Sequence, residues 1–142
     1  MLHYGNSCYE SGQLPYNLIF TKEMYNELWN MKPNKPSKVK LFGKEFDTPR
    51  LHCCYGKPYL FNGSDNHIKT IPDIIKPILE WANNREKQLN RKTKFNQVLI
   101  NWYRDGNDYI GWHSDNEKQI KLNNLIYTIS LGIPRKFKIR SN

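Results

Sequence analysis

His113-Ser114-Asp115 sets an imidazole and a carboxylate two residues apart. On an extended chain alternate residues face the same way, so both side chains can reach one cation. A His with a carboxylate supplies two thirds of the facial triad that holds Fe(II) in non-haem sites. H-x-D alone is common, and a His beside an Asp is more often simply hydrogen-bonded. A second pair stands one predicted strand upstream, where Asn101 and Tyr103 flank Trp102. An amide and a phenol that share a buried face need polar partners. A carboxylate-bearing cosubstrate would provide them, and so would a cross-strand hydrogen-bond partner.

Several elements must position these side chains. Gln97–Tyr103 reads as a strand, and Asp105-Gly106-Asn107-Asp108 as the turn that ends it. Tyr109–His113, Leu125–Leu131 and Phe137–Ile139 read as three further strands. Upstream, Lys22–Trp29 reads as a helix with Thr21 as its N-cap and Met24 and Leu28 on one face. Lys32–Lys38, rich in Pro and charge, separates it from a strand or hairpin over Val39–Phe46, interrupted by Gly43. Ile71, Ile74, Ile75, Ile78 and Ala82 follow one helical face with Thr70 as a candidate cap. Pro77 does not fit a helix interior, so this helix is kinked or begins nearer Lys76. Asn83–Lys94 is polar and reads as a loop. Helices precede strands rather than alternating with them, which predicts an α+β fold.

The chain has 142 residues, enough for one domain. Hydrophobic residues make up 38% and aromatics 13%, so a packed core is within reach. No apolar run approaches the roughly 18 residues that a membrane helix needs, and no membrane association is expected. The N-terminus lacks the basic and apolar regions of a secretory signal. Cys8, Cys53 and Cys54 are an odd set with two adjacent members, which predicts a reducing, intracellular compartment. The net charge is +9 and unevenly spread: +5 over residues 31–60, +4 over 125–142 and −1 over 95–124. A slightly acidic stretch between basic flanks suits carboxylate chemistry beside a surface that follows phosphates.

Read together, Val98-Leu99-Ile100-Asn101-Trp102-Tyr103-Arg104-Asp105-Gly106 and Ile110-Gly111-Trp112-His113-Ser114-Asp115-Asn116-Glu117 resemble the AlkB family of Fe(II)- and 2-oxoglutarate-dependent alkylated-base demethylases. The N-x-Y-x-D-G and I-G-x-H-x-D-x-E patterns have several fixed spacings. Phe42-Gly43-Lys44 followed by Pro49-Arg50 looks like the family's DNA-probing hairpin. Tyr55-Gly56 and Tyr59-Leu60-Phe61-Asn62-Gly63 look like its substrate lid. Ile129–Gly132 and Arg135–Phe137 look like the strand pair after the metal motif.

The resemblance implies oxidative demethylation of N-alkylated bases in DNA, with Fe(II) and 2-oxoglutarate as cofactors. His113 and Asp115 would hold iron, and Asn101 and Tyr103 would hydrogen-bond 2-oxoglutarate. Glu117 would accept a hydrogen bond from the damaged base, and Tyr59 and Phe61 would line its pocket. Phe42, next to Gly43, would fill the gap left in the duplex. Lys44, Arg50, Arg135 and Arg140 would meet phosphates. It also implies three regions: residues 1–38 as an N-terminal helical segment and linker, 39–94 as the nucleotide-recognition lid and helix, and 95–142 as the first strands of a double-stranded β-helix. A nuclear location is expected if the source is eukaryotic.

The family's second metal-binding histidine and its cosubstrate arginines come well after H-x-D. Only 27 residues follow Asp115, and none is His. The expectation is an incomplete jelly roll, from a fragment or a degenerate homologue, inactive or nearly so unless a second chain completes the site. The alternatives are a catalytically inactive nucleic-acid-binding homologue and an RNA demethylase.

Overall fold

A computed structural model describes residues 2–4, 7–41, 43–56, 69–114 and 125–140. Among these, three antiparallel two-stranded sheets accompany two helices, so the fold is mixed helix and strand as expected. The first sheet pairs β1 (Leu2–Tyr4) with β2 (Ser7–Tyr9). A 3-10 turn follows at Tyr16–Leu18. Helix α1 spans Lys22–Asn30, and the Thr21 hydroxyl accepts from the Met24 amide at 3.3 Å as the expected N-cap.

β3 (Lys38–Leu41) and β4 (Lys44–Asp47) form the hairpin that Gly43 interrupts in the sequence. Gly43 sits at φ +77°, a left-handed conformation that glycine adopts without steric cost. Phe42 lies outside the described residues. β5 (Leu51–Gly56) was not among the predicted strands, and its register with β6 (Gln97–Trp102) builds the centre of the molecule. Leu51, Cys53 and Tyr55 on β5 and Trp102 on β6 are buried, with Trp29, Met31, Ile71 and Ile100 packed against them. The Trp102 indole donates to the Leu28 carbonyl at 2.9 Å, so a buried donor is satisfied by the last turn of α1. Cys53 and Cys54 are free thiols.

Helix α2 spans Lys76–Gln88. It begins near Lys76, the alternative that Pro77 favours, because a proline in the first turn loses no intrahelical hydrogen bond. It also runs through Asn83–Gln88, where a loop is expected from polarity. The reason is tertiary. Asn83 exchanges two hydrogen bonds with the Phe95 backbone, at 3.0 and 2.7 Å. Glu86 is fully buried and accepts from the Tyr127 hydroxyl at 2.7 Å and from Arg91 at 3.3 Å. Tyr127 packs between the rings of Trp81 and Phe95.

The strands expected at Tyr109–His113, Leu125–Leu131 and Phe137–Ile139 carry no ladder among the described residues. Leu125–Leu131 nevertheless alternates half-buried and exposed positions residue by residue. Its period-two pattern sets which side faces inward, but a strand also needs a hydrogen-bonded neighbour. Around Tyr109 the backbone amide goes to the Pro49 carbonyl at 2.8 Å, a single tie in place of a ladder. Among the described residues no helix is long and apolar enough to cross a membrane.

Candidate active site

The β5–β6 ladder sorts its side chains onto two faces. Leu51 lies opposite Trp102, His52 opposite Asn101 and Cys53 opposite Ile100. One face is the apolar core. The other carries His52 and Asn101, so the pleat that buries Trp102 turns the expected cosubstrate amide away from the core.

Arg50 stands immediately before β5. Its Nε donates to Asn101 Oδ1 at 2.8 Å. Sequence reasoning places Arg50 on a phosphate, yet the residue is only 7% exposed and the guanidinium turns inward to the amide. Burial lowers its pKa, and the neighbouring Tyr103 opposes that shift. The charge therefore lies against Asn101 and interacts electrostatically with Tyr103. Among the described residues no carboxylate forms an ion pair with Arg50. The Thr48 hydroxyl donates to the Arg50 carbonyl at 2.9 Å and fixes the backbone that carries it. Burial and then the Arg50 charge lower the pKa of His52. The imidazole opposite Asn101 is thereby kept neutral.

Tyr103 is held from its other side. The Arg135 guanidinium stacks on its ring at 4.5 Å. Arg135 also donates to the carbonyls of Asp105 at 3.1 Å and of Asp108. It is thus bound into the turn after β6, where sequence reasoning expects a phosphate contact. Arg104 closes the same turn on buried Asp108, with a backbone contact at 2.9 Å and side-chain contacts at 2.8 and 2.7 Å. The Arg104 hydrogen bonds outweigh burial and hold the Asp108 carboxyl down at about 2. Arg140 stacks on exposed Trp112 at 4.3 Å.

His113 is exposed, and its Nδ1 lies 2.8 Å from the Gly111 carbonyl. A carbonyl only accepts, so Nδ1 carries the proton. In the neutral ring the basic lone pair is then on Nε2, the tautomer a metal ligand needs, with the backbone as its orienting partner. Residues 109–114 form no strand ladder, with a bend at Trp112. Asp115, Glu117, Tyr59 and Phe61 lie outside the described residues. Among the described residues no group of three His, Cys, Asp or Glu side chains could hold a metal. Gly43 and Lys44 are exposed in the β3–β4 hairpin. An open depression of about 420 Å³ beside α2, lined by Leu18, Pro77, Trp81 and Arg85 among others, contains none of the expected site residues.

The roles of Arg50, His52 and Arg135 around Asn101 and Tyr103 were missed from sequence. Alternation over Leu51–Tyr55 could have signalled β5. Nothing local could have paired positions 51 residues apart.

Two donors fit a dicarboxylate cosubstrate, the amide nitrogen of Asn101 and the Tyr103 hydroxyl, with the Arg50 guanidinium holding the amide oxygen behind them. Comparison with known families agrees. Residues 21–142 match the 2OG-Fe(II) oxygenase superfamily, and the chain belongs to it. Within it the likeness is to AlkB-type proteins. The chain is 32% identical over 135 residues to DNA oxidative demethylase ALKBH2 of Bos taurus, covering 88% of this chain and 47% of that protein. It is 36% identical over 107 residues to the Mus musculus protein of the same name, covering 73% and 43%. Against alpha-ketoglutarate-dependent dioxygenase alkB homolog 3 of Mus musculus it is 33% identical over 96 residues, covering 67% and 32%. The chain thus spans about half the length, or less, of these relatives.

Proposed function

We propose that the chain forms part of an AlkB-type oxygenase that removes alkyl groups from ring nitrogens of DNA bases. The observation that carries this reading is the donor-rich face at Asn101, Tyr103 and Arg50, in a chain whose relatives are named as DNA demethylases. Bound Fe(II) and 2-oxoglutarate would supply, with dioxygen, the oxidising chemistry that hydroxylates the alkyl group, with succinate, CO2 and an aldehyde as products. His113 offers Nε2 to the metal, and Asp115 offers its carboxylate. Asn101 and Tyr103 donate to 2-oxoglutarate and orient it.

Substrate contacts fall to the exposed hairpin and the segments around it. Phe42, the sequence neighbour of the turn residue Gly43, fills the space of a displaced base, and Lys44 meets phosphate. Tyr59 and Phe61 stack on that base, and Glu117 accepts from it. The full architecture is the family's double-stranded β-helix beneath a nucleotide-recognition lid, and a second chain is a candidate source of the remaining metal and cosubstrate ligands. A nuclear site of action follows if the source is eukaryotic.

The test is succinate release with methylated and unmethylated oligonucleotides. The 142-residue chain is assayed alone and with the C-terminal part of the bovine relative added in trans. Methyl-dependent succinate in the complemented reaction, greater on duplex DNA than on RNA, is the expected result. Release on RNA alone would move the substrate assignment to RNA. No methyl-dependent release under either condition would overturn the reading.

A further inference from the structure

We propose that Arg50 is a positioning residue that sets the polarity of the cosubstrate site by fixing which end of the Asn101 amide faces the ligand. This rests on the reading of Asn101 as a 2-oxoglutarate contact and goes beyond it. An asparagine side chain offers an acceptor at one end and two donors at the other, and rotation by half a turn exchanges them. A guanidinium has donors only. The bond from Arg50 Nε at 2.8 Å therefore engages Oδ1 and no other Asn101 side-chain atom. The two N–H bonds of Nδ2 are left to point away from Arg50. Both oxygens of a carboxylate only accept, so a dicarboxylate meets donors in this orientation and a repelling oxygen in the other.

The surroundings support a fixed device rather than a chance contact. Arg50 is 7% exposed, so water competes weakly for the bond. Its backbone is anchored through Thr48, and the β5–β6 register fixes Asn101 opposite His52. Among the described residues no carboxylate draws the guanidinium elsewhere. Burial also holds His52 neutral, so no second cation faces the amide from the opposite strand.

Two measurements on the 142-residue chain test this. In the ligand-free protein, nuclear magnetic resonance should show the Arg50 Nε proton protected from solvent exchange, with protection lost in Asn101→Ala. A rapidly exchanging Arg50 Nε proton overturns the proposal whatever the ligand does. The second is an anaerobic calorimetric titration with Fe(II) and 2-oxoglutarate across a double-mutant cycle of Arg50→Gln and Asn101→Ala. Each single change should weaken 2-oxoglutarate binding roughly tenfold, the equivalent of one charge-assisted hydrogen bond. The double variant should be no weaker than Asn101→Ala alone, because Arg50 acts through the amide. Arg50→Lys, which keeps a cationic donor, should recover part of the loss. Additive losses would make Arg50 a direct ligand or a general scaffold, and an unchanged affinity in Arg50→Gln would remove any role; either overturns the proposal. If the wild-type chain shows no affinity for 2-oxoglutarate, the functional reading fails, and the resonance measurement still decides whether Arg50 fixes the amide.

Discussion

Asn101 and His52 face each other across two strands, and Arg50 acts on both. It turns the amide oxygen toward itself, and it adds to the burial that makes protonation of the imidazole unfavourable. The sign for stability follows directly. A histidine whose pKa is lower in the folded chain than its ordinary 6.5 binds fewer protons folded than unfolded. Above that value the group is neutral in both states and has no effect. As the pH falls below 6.5, the unfolded chain takes up a proton the folded chain resists, and stability drops. Urea denaturation at pH 7.5 and pH 5.5 should therefore show a decrement in the wild type that shrinks in His52→Asn. An equal decrement in both proteins would place the acid-sensitive group elsewhere. Asp108 does not confuse the comparison, because its carboxyl is held at about 2 and stays ionised across this range.

Helix α1 and the hairpin were legible because their signals are local. Thr21 caps within three residues, and Gly43 turns within one. Asn101 and Tyr103 share a face by simple alternation over Gln97–Tyr103. The extension of α2 through Asn83–Gln88 was not legible, since buried Glu86 depends on partners at Arg91 and Tyr127. Leu125–Leu131 has the alternation of a strand without the ladder, since pattern specifies a face and not a neighbour. Arg50 shows the same limit at the site: the family resemblance implies a phosphate contact, and the register of β5 on β6 brings it to Asn101. The end of β5 offers a test at this scale. Gly56 has φ +93°, and a Cβ there would lie 2.3 Å from the Asn96 carbonyl oxygen. Gly56→Ala should cost about 1–3 kcal/mol from the backbone conformation alone, with the backbone clash adding to it. Thermal unfolding measures this, and an unchanged midpoint would show that β5 ends differently.

At the scale of the whole molecule, charge is the organising quantity. The excess of +9 is concentrated before and after the segment that carries His113. In the structure, however, Arg50 and Arg135 are committed to the site, and Arg140 is stacked on Trp112. The proposed duplex binding would then rest on the remaining basic side chains, Lys44 among them. If about five phosphates are engaged, log affinity should fall against log salt with a slope of roughly −4 to −5. Fluorescence anisotropy with an unmodified duplex measures it, and a salt-independent affinity would rule out a phosphate-tracking surface. Lys44→Ala should reduce the slope by about one.

That the Asn101 face and His113 serve one iron and one 2-oxoglutarate is tested most directly by the linkage between the two ligands. Two ligands of one site change each other's affinity by equal factors, and a cosubstrate that contacts the metal raises it. Anaerobic titration of Fe(II) into the 142-residue chain, with and without saturating 2-oxoglutarate, reads that factor. A factor of about ten or more, lost in both His113→Ala and Asn101→Ala, is the predicted result. Equal Fe(II) affinity with and without 2-oxoglutarate, or coupling that survives His113→Ala, would contradict it.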